Sequence, residues 1–460
     1  MKTSTQYWLL FALAAASFVP TLYNVQWTGE EAVYPLMAYE MWQAGEYLKP
    51  IMYGSEYWRP PLFNLLIMAL SNLIGWEHML LASRLISAIA TVGSGLLVAW
   101  FTSRVSGDRI LGAFAALIFI TLGDIFFYNG WLAYSDPLFA LFTLAGMLFG
   151  WLAVFERRIS LFAIAGVALA CAFLTKALTA YIFYAVAVLV AAYTTRHWRF
   201  LFSMPSIVLN IITLALPFIW FAVMSNNSPQ SQGMFDDILS KLVADGVLNY
   251  LREFVSFPLH AFTQFLPIAG VVLYVRYRKE LIIDWSAPLT QAAALIVFIN
   301  FLPYWLSPQS GMRYILPLYG VSAIFFATVL IHHESASKLA LKWIIAAIAV
   351  KWFFSLWAFP FYTEHKRPNI DAIATDILSI TGDSPLYVHN VAWAGIAVVA
   401  DITKNTLPRS PLVFPPSGLA SGYLIDYADT PIPAGWTTVK TYREVRLLCT
   451  GDACHPHQGT

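Results

Sequence analysis

The stretch WTGEEAVYPLMAYEMWQAGEYLKPIMYGSEYWRPPL, residues 27–62, directly follows the first hydrophobic segment of the chain. It contains two adjacent carboxylates, Glu30 and Glu31, many aromatic residues, and Arg59 followed by two prolines. Charge near the end of a membrane-inserted segment is costly unless it has a partner or a function. The stretch therefore indicates a functional site. The position of this site relative to the membrane depends on the hydrophobic segments on either side.

The composition is that of a polytopic membrane protein. Of the 460 residues, 59% are hydrophobic and 12% are charged, and the mean hydropathy is +0.64. A soluble domain carries about 25% charged residues. The formal net charge of +1 gives no indication of a nucleic-acid partner. Aromatic residues make up 16% of the chain, and many stand at segment ends, as interfacial belts require.

Eleven hydrophobic runs approach the roughly 20 residues that a bilayer-spanning helix needs. The first run has no clear small-residue cleavage site and is interpreted as an uncleaved span. The sequence therefore predicts an all-α membrane fold with about eleven transmembrane helices. The runs lie near residues 7–25, 79–102, 109–128, 134–155, 159–175, 177–194, 204–224, 259–276, 287–304, 312–331 and 340–360.

The distribution of Lys and Arg predicts the orientation of these spans. Short basic loops of membrane proteins face the cytoplasm, and here they follow the even-numbered spans. The N-terminus is therefore expected in the cytoplasm and the C-terminus on the opposite side. The basic loops are residues 103–109, 156–158, 194–199, 276–280 and 332–342.

Three segments are left on the extracytoplasmic side: residues 26–78, 225–258 and 361–460. The first two are loops of a membrane domain that covers residues 1–360. The third is about the size of a small domain, and we expect an α/β fold for it. Its role is open.

Local patterns in this tail predict its elements. IDAIATDILSI (370–380) is typical of a helix, whereas PLYVHN (385–390) and GIAVVA (395–400) are interpreted as strands between turns.

Two cysteines, Cys449 and Cys454, stand near the end of the tail. A disulfide is expected if the tail lies outside the cytoplasm. A metal site shared with His455 and His457 is the alternative.

Carboxylates gather on the extracytoplasmic face of this topology. Glu30 and Glu31 emerge just beyond the first span, and Asp136 begins the fourth span directly before Pro137, a usual arrangement at a helix start. Solvated interface charges, or helix capping by Asp136, would also account for this pattern.

Three cations reach the same face, against the inside-positive bias. Arg59, Lys176 and Arg313 are each at the end of a hydrophobic segment or in a short loop. Together with the carboxylates they predict a site that binds an anion beside a proton acceptor, and lipid phosphate is the obvious anion at that depth. Ion pairing, for example of Arg59 with Glu56, is the alternative.

A series of motifs, in order, resembles the C-type-fold glycosyltransferases that use polyprenyl-phosphate sugars. These are the bacterial relatives of protein O-mannosyltransferases and include the aminoarabinose transferase of lipid A. The resemblance covers roughly residues 26–330. The motifs are Glu30-Glu31 with Tyr34, Glu40-Met41 with Gly45-Glu46-Tyr47 and Pro50, Arg59-Pro60-Pro61-Leu62, ASRLISAI (82–89), AYSDPLFALF (133–142), LTKALTA (174–180) and RYILPLYG (313–320).

The resemblance implies sugar transfer, with inversion, from an undecaprenyl- or decaprenyl-phosphate type donor on the extracytoplasmic face of a bacterial inner membrane. The acceptor is an envelope glycan, lipid or protein. Transfer needs a carboxylate base, for which we expect Glu30, with Asp136 second and Glu31 in support. It also needs positive charge on the leaving phosphate, for which we expect Arg59, Lys176 and Arg313. Expected substrate-binding residues are Tyr34, Tyr57, Arg84 and Tyr314.

Three positions depart from the family pattern. The first acid is Glu30 where Asp is usual, Trp58 stands where an acidic residue is common, and Ala177 replaces a Gly. Because Trp58 cannot ligate a metal, a divalent ion of the kind bound by the aminoarabinose transferase stays open, with Glu56 and His260 as candidate ligands. No organic cofactor is expected.

Two other classes of protein fit parts of this pattern, and a non-catalytic subunit of a membrane complex is a third alternative because Glu30 departs from Asp. A lipid-linked sugar flippase or transporter would also gather charges around a phosphate, although the chain has no recognisable internal repeat. An oligosaccharide polymerase or ligase is the nearer enzymatic alternative, and it would use a diphosphate donor.

Overall fold

The computed structural model describes residues 4–23, 25–57, 59–223, 246–279, 282–307, 311–389 and 394–454. Trp58, His455, His457 and most of the predicted loop 225–258 lie outside these residues. The described chain consists of a helical part followed by a small domain that contains a four-stranded sheet.

A helix occupies each of the eleven hydrophobic runs. Five described helical segments are long and apolar enough to cross a bilayer, namely residues 4–23, 76–106, 136–156, 288–306 and 334–381, and several shorter apolar helices lie between them. The polytopic helical fold is confirmed, whereas the count of eleven spans stays a prediction. The helices are α1 (Ser4–Ala16), α2 (Val19–Tyr23), α3 (Val33–Ala44), α4 (Leu62–Ile74), α5 (Met79–Ser106), α6 (Arg109–Ile120), α7 (Asp136–Glu156), α8 (Ser160–Thr175), α9 (Thr179–Thr195), α10 (Trp198–Leu201), α11 (Met204–Val223), α12 (Val247–Gln264), α13 (Ile268–Tyr277), α14 (Pro288–Leu306), α15 (Leu318–Ile331), α16 (Glu334–Phe353) and α17 (Phe359–Lys366).

The predicted eighth run, residues 259–276, is not one continuous helix. It includes the end of α12 and all of α13, and these two helices are bent by 101° at the break between them. Pro267 directly precedes α13. Proline has no backbone N–H and its ring clashes with the preceding turn, so a helix cannot continue through it undisturbed.

Helix α7 is packed tightly against its neighbours through small residues. A Cβ atom added at Gly146 would lie 2.8 Å from the side chain of Leu169, and one at Gly150 would lie 2.4 Å from the ring of Tyr184. Glycines at such positions let membrane helices approach closely. This packing fixes α7, and with it Asp136 at its first residue.

The loop that begins at Gln26, which is predicted to be extracytoplasmic, is ordered by buried side chains. Helix α3 is buried along most of its length, and a hairpin of β1 (Ile51–Met52) and β2 (Ser55–Glu56) follows it. The Glu40 carboxylate accepts hydrogen bonds from the backbone N–H groups of Tyr53 (2.8 Å) and Gly54 (3.0 Å) at the hairpin turn. Glu40 therefore holds the hairpin against α3.

Burial raises the pKa of Glu40 to about 7, although the hydrogen bonds from Gly54 and Tyr53 act in the opposite direction. A carboxyl with a raised pKa in the folded state retains its proton where the unfolded chain has lost it. The free energy of unfolding should therefore fall by up to about 3 kcal/mol as the pH rises from about 4.5 to about 7. In thermal melts of purified protein at pH 5 and pH 8, Glu40→Gln should remove this part of the pH dependence. The exposed Glu364→Gln should leave it intact, and equal slopes in wild type and Glu40→Gln would contradict the assignment.

The tail folds as an α/β domain. Its sheet has the order β3-β4-β6-β5, with β3 parallel to β4 and the other pairs antiparallel. A helix covers the predicted stretch 370–380, and of the strand predicted at 385–390 the structure has Leu386–Val388. The elements are α18 (Ile370–Thr381), β3 (Leu386–Val388), α19 (Ala394–Asn405), β4 (Gly422–Tyr427), β5 (Thr437–Tyr442) and β6 (Val445–Thr450).

The prediction of a strand at GIAVVA (395–400) is wrong, because this segment lies within α19. All six of its residues are buried. A helix that is buried on all sides shows no 3.6-residue periodicity, so a short apolar run cannot be distinguished from a buried strand.

The tail domain is docked on the loop that begins at Gln26. The Phe414 N–H donates to the Tyr53 carbonyl (3.3 Å), and the Tyr39 hydroxyl donates to the Arg409 carbonyl (2.9 Å). Cys449 and Cys454 are joined in a disulfide, as the sequence predicted. Docking brings residues of the tail domain to the same place as Glu30 and Arg59.

Candidate active site

The loop that begins at Gln26 and the tail domain, together with Tyr134 and Arg313, line a cavity of about 510 Å³. It contains six residues that the sequence singled out: Glu30, Tyr34, Glu56, Tyr57, Arg59 and Arg313. The other lining residues are Val33, Met52, Tyr53, Ser55, Tyr134, His389, Ile396 and Phe414.

Glu30 is the more exposed of the two acids that line the cavity. It lies just before α3, and its side chain is 42% exposed. One carboxylate oxygen is 3.7 Å from Nη1 of Arg313, which lies in the short helical turn Met312–Ile315. Glu30 is thus open to a ligand and has a guanidinium beside it.

Arg59 is held at the start of α7 by a chain of hydrogen bonds. Its Nη1 donates to the Tyr34 hydroxyl (2.7 Å), which is 2.7 Å from the hydroxyl of Ser135. The guanidinium also lies over the Tyr34 ring, 5.5 Å from its centroid. Ser135 precedes Asp136, so these hydrogen bonds connect the Arg-Pro-Pro box to the acidic motif that contains Asp136.

Asp136 and Lys176 form a buried ion pair in the described structure. The Lys176 Nζ lies 4.9 Å from the centroid of the Tyr314 ring, and the Arg313 guanidinium carbon lies 5.6 Å from the same centroid. The Tyr314 ring therefore lies close to both cations. Lys176 is adjacent to the cavity-lining Arg313 without itself lining the cavity.

Glu31 and Arg84 have a different environment from the one expected for catalysis and substrate binding. Both side chains are completely buried, and Arg84 donates two hydrogen bonds to the Glu31 carboxylate (2.9 and 2.6 Å). The carboxylate also accepts from the N–H groups of Thr28 and Ala133 (both 2.8 Å), and Arg84 donates to the Val25 carbonyl (2.6 Å). Neither residue lines the cavity. This pair connects the end of the first span, α5 and the segment before α7.

The two candidate metal ligands lie in different settings. Glu56 lines the cavity, whereas His260 is exposed on α12 and does not. Among the described residues, no group of three or more His, Cys, Asp and Glu side chains is placed to hold an ion.

Several residues in or beside the cavity were not predicted from the sequence. Ser135 precedes Asp136 directly, so the acidic motif itself was a usable signal for it. Tyr53 belongs to the aromatic-rich stretch but has no distinguishing spacing. His389 and Phe414 carry no local signal, because they reach the cavity only through the docking of the tail domain.

Residues 22–228 match the model of the dolichyl-phosphate-mannose-protein mannosyltransferase family. The undecaprenyl phosphate-alpha-4-amino-4-deoxy-L-arabinose arabinosyl transferase of Edwardsiella ictaluri is 27% identical over 216 residues, which are 46% of this chain and 38% of that protein. The transferase of the same name from Pseudomonas savastanoi is 30% identical over 137 residues, 29% of this chain and 25% of its own length. The matching segment thus spans well under half of these relatives.

The solved structures extend the likeness to almost the whole chain. The crystal structure of ArnT from Cupriavidus metallidurans bound to undecaprenyl phosphate matches with a TM-score of 0.70 at 17% identity, covering 97% of this chain and 98% of ArnT. This chain has the ArnT fold. The same protein without ligand matches with a TM-score of 0.66. The resemblance indicated by the ordered motifs is thereby confirmed, and the ArnT-like fold includes the tail domain.

Proposed function

We propose that this protein is an integral membrane glycosyltransferase that moves a sugar from a polyprenyl-phosphate donor to an acceptor hydroxyl on the extracytoplasmic face. The observation that carries the proposal is the cavity in which the accessible Glu30 lies beside Arg313 and shares the lining with Arg59. A base next to two guanidinium groups fits a reaction in which a proton is removed while a phosphate leaves.

In the proposed reaction the acceptor oxygen attacks the anomeric carbon of the donor sugar. The Glu30 carboxylate takes the proton of the acceptor hydroxyl as the new carbon–oxygen bond forms. The bond between the anomeric carbon and the phosphate oxygen breaks, and the polyprenyl phosphate departs as an anion. Attack from the side opposite the leaving group inverts the anomeric configuration.

The cations stabilise the negative charge that builds up on the departing phosphate. Arg59 and Arg313 line the cavity, and arginine is suited to bidentate contact with phosphate. Lys176, paired with Asp136, adds charge behind the Tyr314 ring. Asp136 is therefore better placed to orient Lys176 than to act as a second base.

The membrane placement is part of the same proposal. The basic loops support a cytoplasmic N-terminus, eleven spans and a tail domain on the extracytoplasmic side of a bacterial inner membrane. In this orientation Glu30, Arg59 and Arg313 all lie at the outer leaflet. A polyprenyl-phosphate sugar that has been moved to that leaflet has its headgroup at the same level. An apolar groove among the spans would then receive the polyprenyl tail.

The test is transfer by the purified protein. Radiolabelled undecaprenyl-phosphate sugars are supplied one at a time with extracted envelope fractions in detergent. Label should pass from one donor into a product fraction. Absence of transfer with every donor, together with transport of lipid-linked sugar across reconstituted vesicles, would contradict the enzymatic proposal in favour of a flippase.

Arg59→Ala should raise the apparent KM for the donor by about 10- to 100-fold, since one charge-assisted contact to phosphate is lost. Protein yield and thermal midpoint should change little, because the Tyr34 hydroxyl retains its contact with Ser135. Arg409→Ala is the matched control, because its side chain is 62% exposed and does not line the cavity. Unchanged donor KM in Arg59→Ala would remove Arg59 from the phosphate site.

A further inference from the structure

Part of the cavity lining is not used by the proposed chemistry. This part, called here the outer subsite, consists of Tyr53 and Glu56 from the β1–β2 hairpin and His389 and Phe414 from the tail domain. The Tyr53 and Phe414 rings meet edge to face with centroids 5.5 Å apart. The outer subsite therefore joins the extracytoplasmic loop to the tail domain across one wall of the cavity.

Two polar atoms of the outer subsite are buried and make no hydrogen bond within the described structure: the Tyr53 hydroxyl and Oε1 of Glu56. Tyr53 as a whole is only 6% exposed. A buried polar group without a partner costs free energy, and native proteins rarely tolerate one without a reason. Here the two atoms belong to residues that line one cavity, and a ligand bound between those residues would supply their partners.

His389 adds an oriented hydrogen-bonding group. Its Nδ1 is 3.1 Å from Oδ1 of Asp426. Asp426 is fully buried and also accepts two hydrogen bonds from Arg446 (3.1 and 2.5 Å). The ring is thus held through Nδ1, while 47% of its side chain is exposed. Asp426 is a positioning residue for His389.

The charges of the outer subsite restrict the chemistry of its ligand. It has the carboxylate of Glu56, whose Oε2 lies 4.0 Å from Nζ of Lys49, and no Lys or Arg among its members. The guanidinium groups of the cavity belong to Arg59 and Arg313. A phosphate on the ligand would be repelled by Glu56. A sugar ring instead offers hydroxyl donors to Glu56, a partner to Tyr53 and an apolar face to the aromatic rings.

We propose that the outer subsite binds the acceptor, and that the acceptor is a neutral, hydroxyl-rich glycan. This inference rests on the proposed function, because it assigns the second substrate of the same cavity. The donor headgroup lies at Glu30, Arg59 and Arg313, and the acceptor glycan lies against Tyr53, Glu56, His389 and Phe414. The tail domain thereby determines which acceptor is used.

The experiment measures transfer from the active polyprenyl-phosphate sugar to envelope glycans separated by anion exchange into neutral and phosphate-bearing fractions. Label should enter the neutral fraction. Tyr53→Phe should raise the acceptor concentration for half-maximal rate by about fivefold to tenfold, the loss of one hydrogen bond. The donor KM should not change, and the thermal midpoint should not fall, because the variant removes a hydroxyl that has no partner in the described structure.

Three further variants make the result specific. Tyr7→Phe is the matched control: the Tyr7 hydroxyl is also buried without a partner in the described structure, but it lies in α1 outside the cavity. It should leave the acceptor dependence unchanged. In His389→Asn the side-chain amide takes the place of Nδ1 and nothing takes the place of Nε2, so this variant should weaken acceptor use. In His389→Gln the amide takes the place of Nε2, so this variant should retain part of the acceptor use.

Equal acceptor dependence in wild type and Tyr53→Phe, or label only in the phosphate-bearing fraction, would overturn the proposal. If the wild-type protein transfers to neither fraction, the proposed function has failed, and the outer subsite is tested separately. Equilibrium dialysis of the tritiated neutral fraction against the purified protein then decides. Binding that weakens in Tyr53→Phe supports the subsite, and absence of binding contradicts it.

Discussion

Glu30→Gln should lower the rate of sugar transfer by about 100- to 10,000-fold, the usual contribution of a general base. The amide has nearly the same shape as the carboxylate but cannot take the proton of the acceptor hydroxyl. Since the Glu30 side chain is 42% exposed and its contact with Arg313 is as long as 3.7 Å, the variant should fold normally. Transfer is measured in isolated membranes and with purified protein, beside expression level and thermal midpoint.

Two companion variants sharpen this test. Glu77→Gln alters a carboxylate that is 61% exposed outside the cavity, and it should retain full transfer. Glu30→Asp keeps the charge and shortens the side chain by one methylene, so it should retain part of the activity. Normal turnover by Glu30→Gln would show that another group takes the proton.

Arg84→Ala should destabilise the protein severely, by about 3–5 kcal/mol, because it leaves a buried carboxylate without its counter-ion. Glu31 and Arg84 are both fully buried, and their pair also positions the backbone of Val25 and Ala133. We expect little monodisperse protein after detergent extraction and a large drop in thermal midpoint, measured by fluorescence-detected size exclusion and thermal melting.

The control for this prediction is an ion pair with similar geometry that is more exposed to solvent. Arg104 also donates two hydrogen bonds to one carboxylate, that of Glu156 (2.5 and 2.9 Å), but its side chain is 38% exposed. Exposed ion pairs contribute roughly 1 kcal/mol or less, so Arg104→Ala should have a small effect. A wild-type thermal midpoint in Arg84→Ala, with loss of transfer alone, would instead assign Arg84 to substrate binding.

Much of the site was predictable because its residues belong to local motifs at the ends of hydrophobic segments. Glu30, Arg59 and Arg313 were predicted as site residues because a charge at the end of an apolar run costs free energy unless it has a partner or a function. The structure places all three in the lining of one cavity. Their catalytic roles stay predictions until the variants are measured.

Local patterns could not distinguish the two adjacent acids. Glu30 and Glu31 have the same chemistry and consecutive positions, yet one lines the cavity and the other is buried against Arg84. That difference depends on the direction in which each side chain points from the backbone just before α3. It is set by packing against α5 and the segment before α7, which is tertiary information.

The sequence by itself determined that this chain is a polytopic helical membrane protein, because hydrophobic length and the placement of Lys and Arg are local properties of a segment in a bilayer. It also determined the family resemblance, through motifs in a fixed order. Only the tertiary structure decided that the GIAVVA segment is a buried helix, and that His389 and Phe414 join Tyr53 and Glu56 in one wall. Such contacts join residues that are hundreds of positions apart, and they form only when the tail domain docks on the loop.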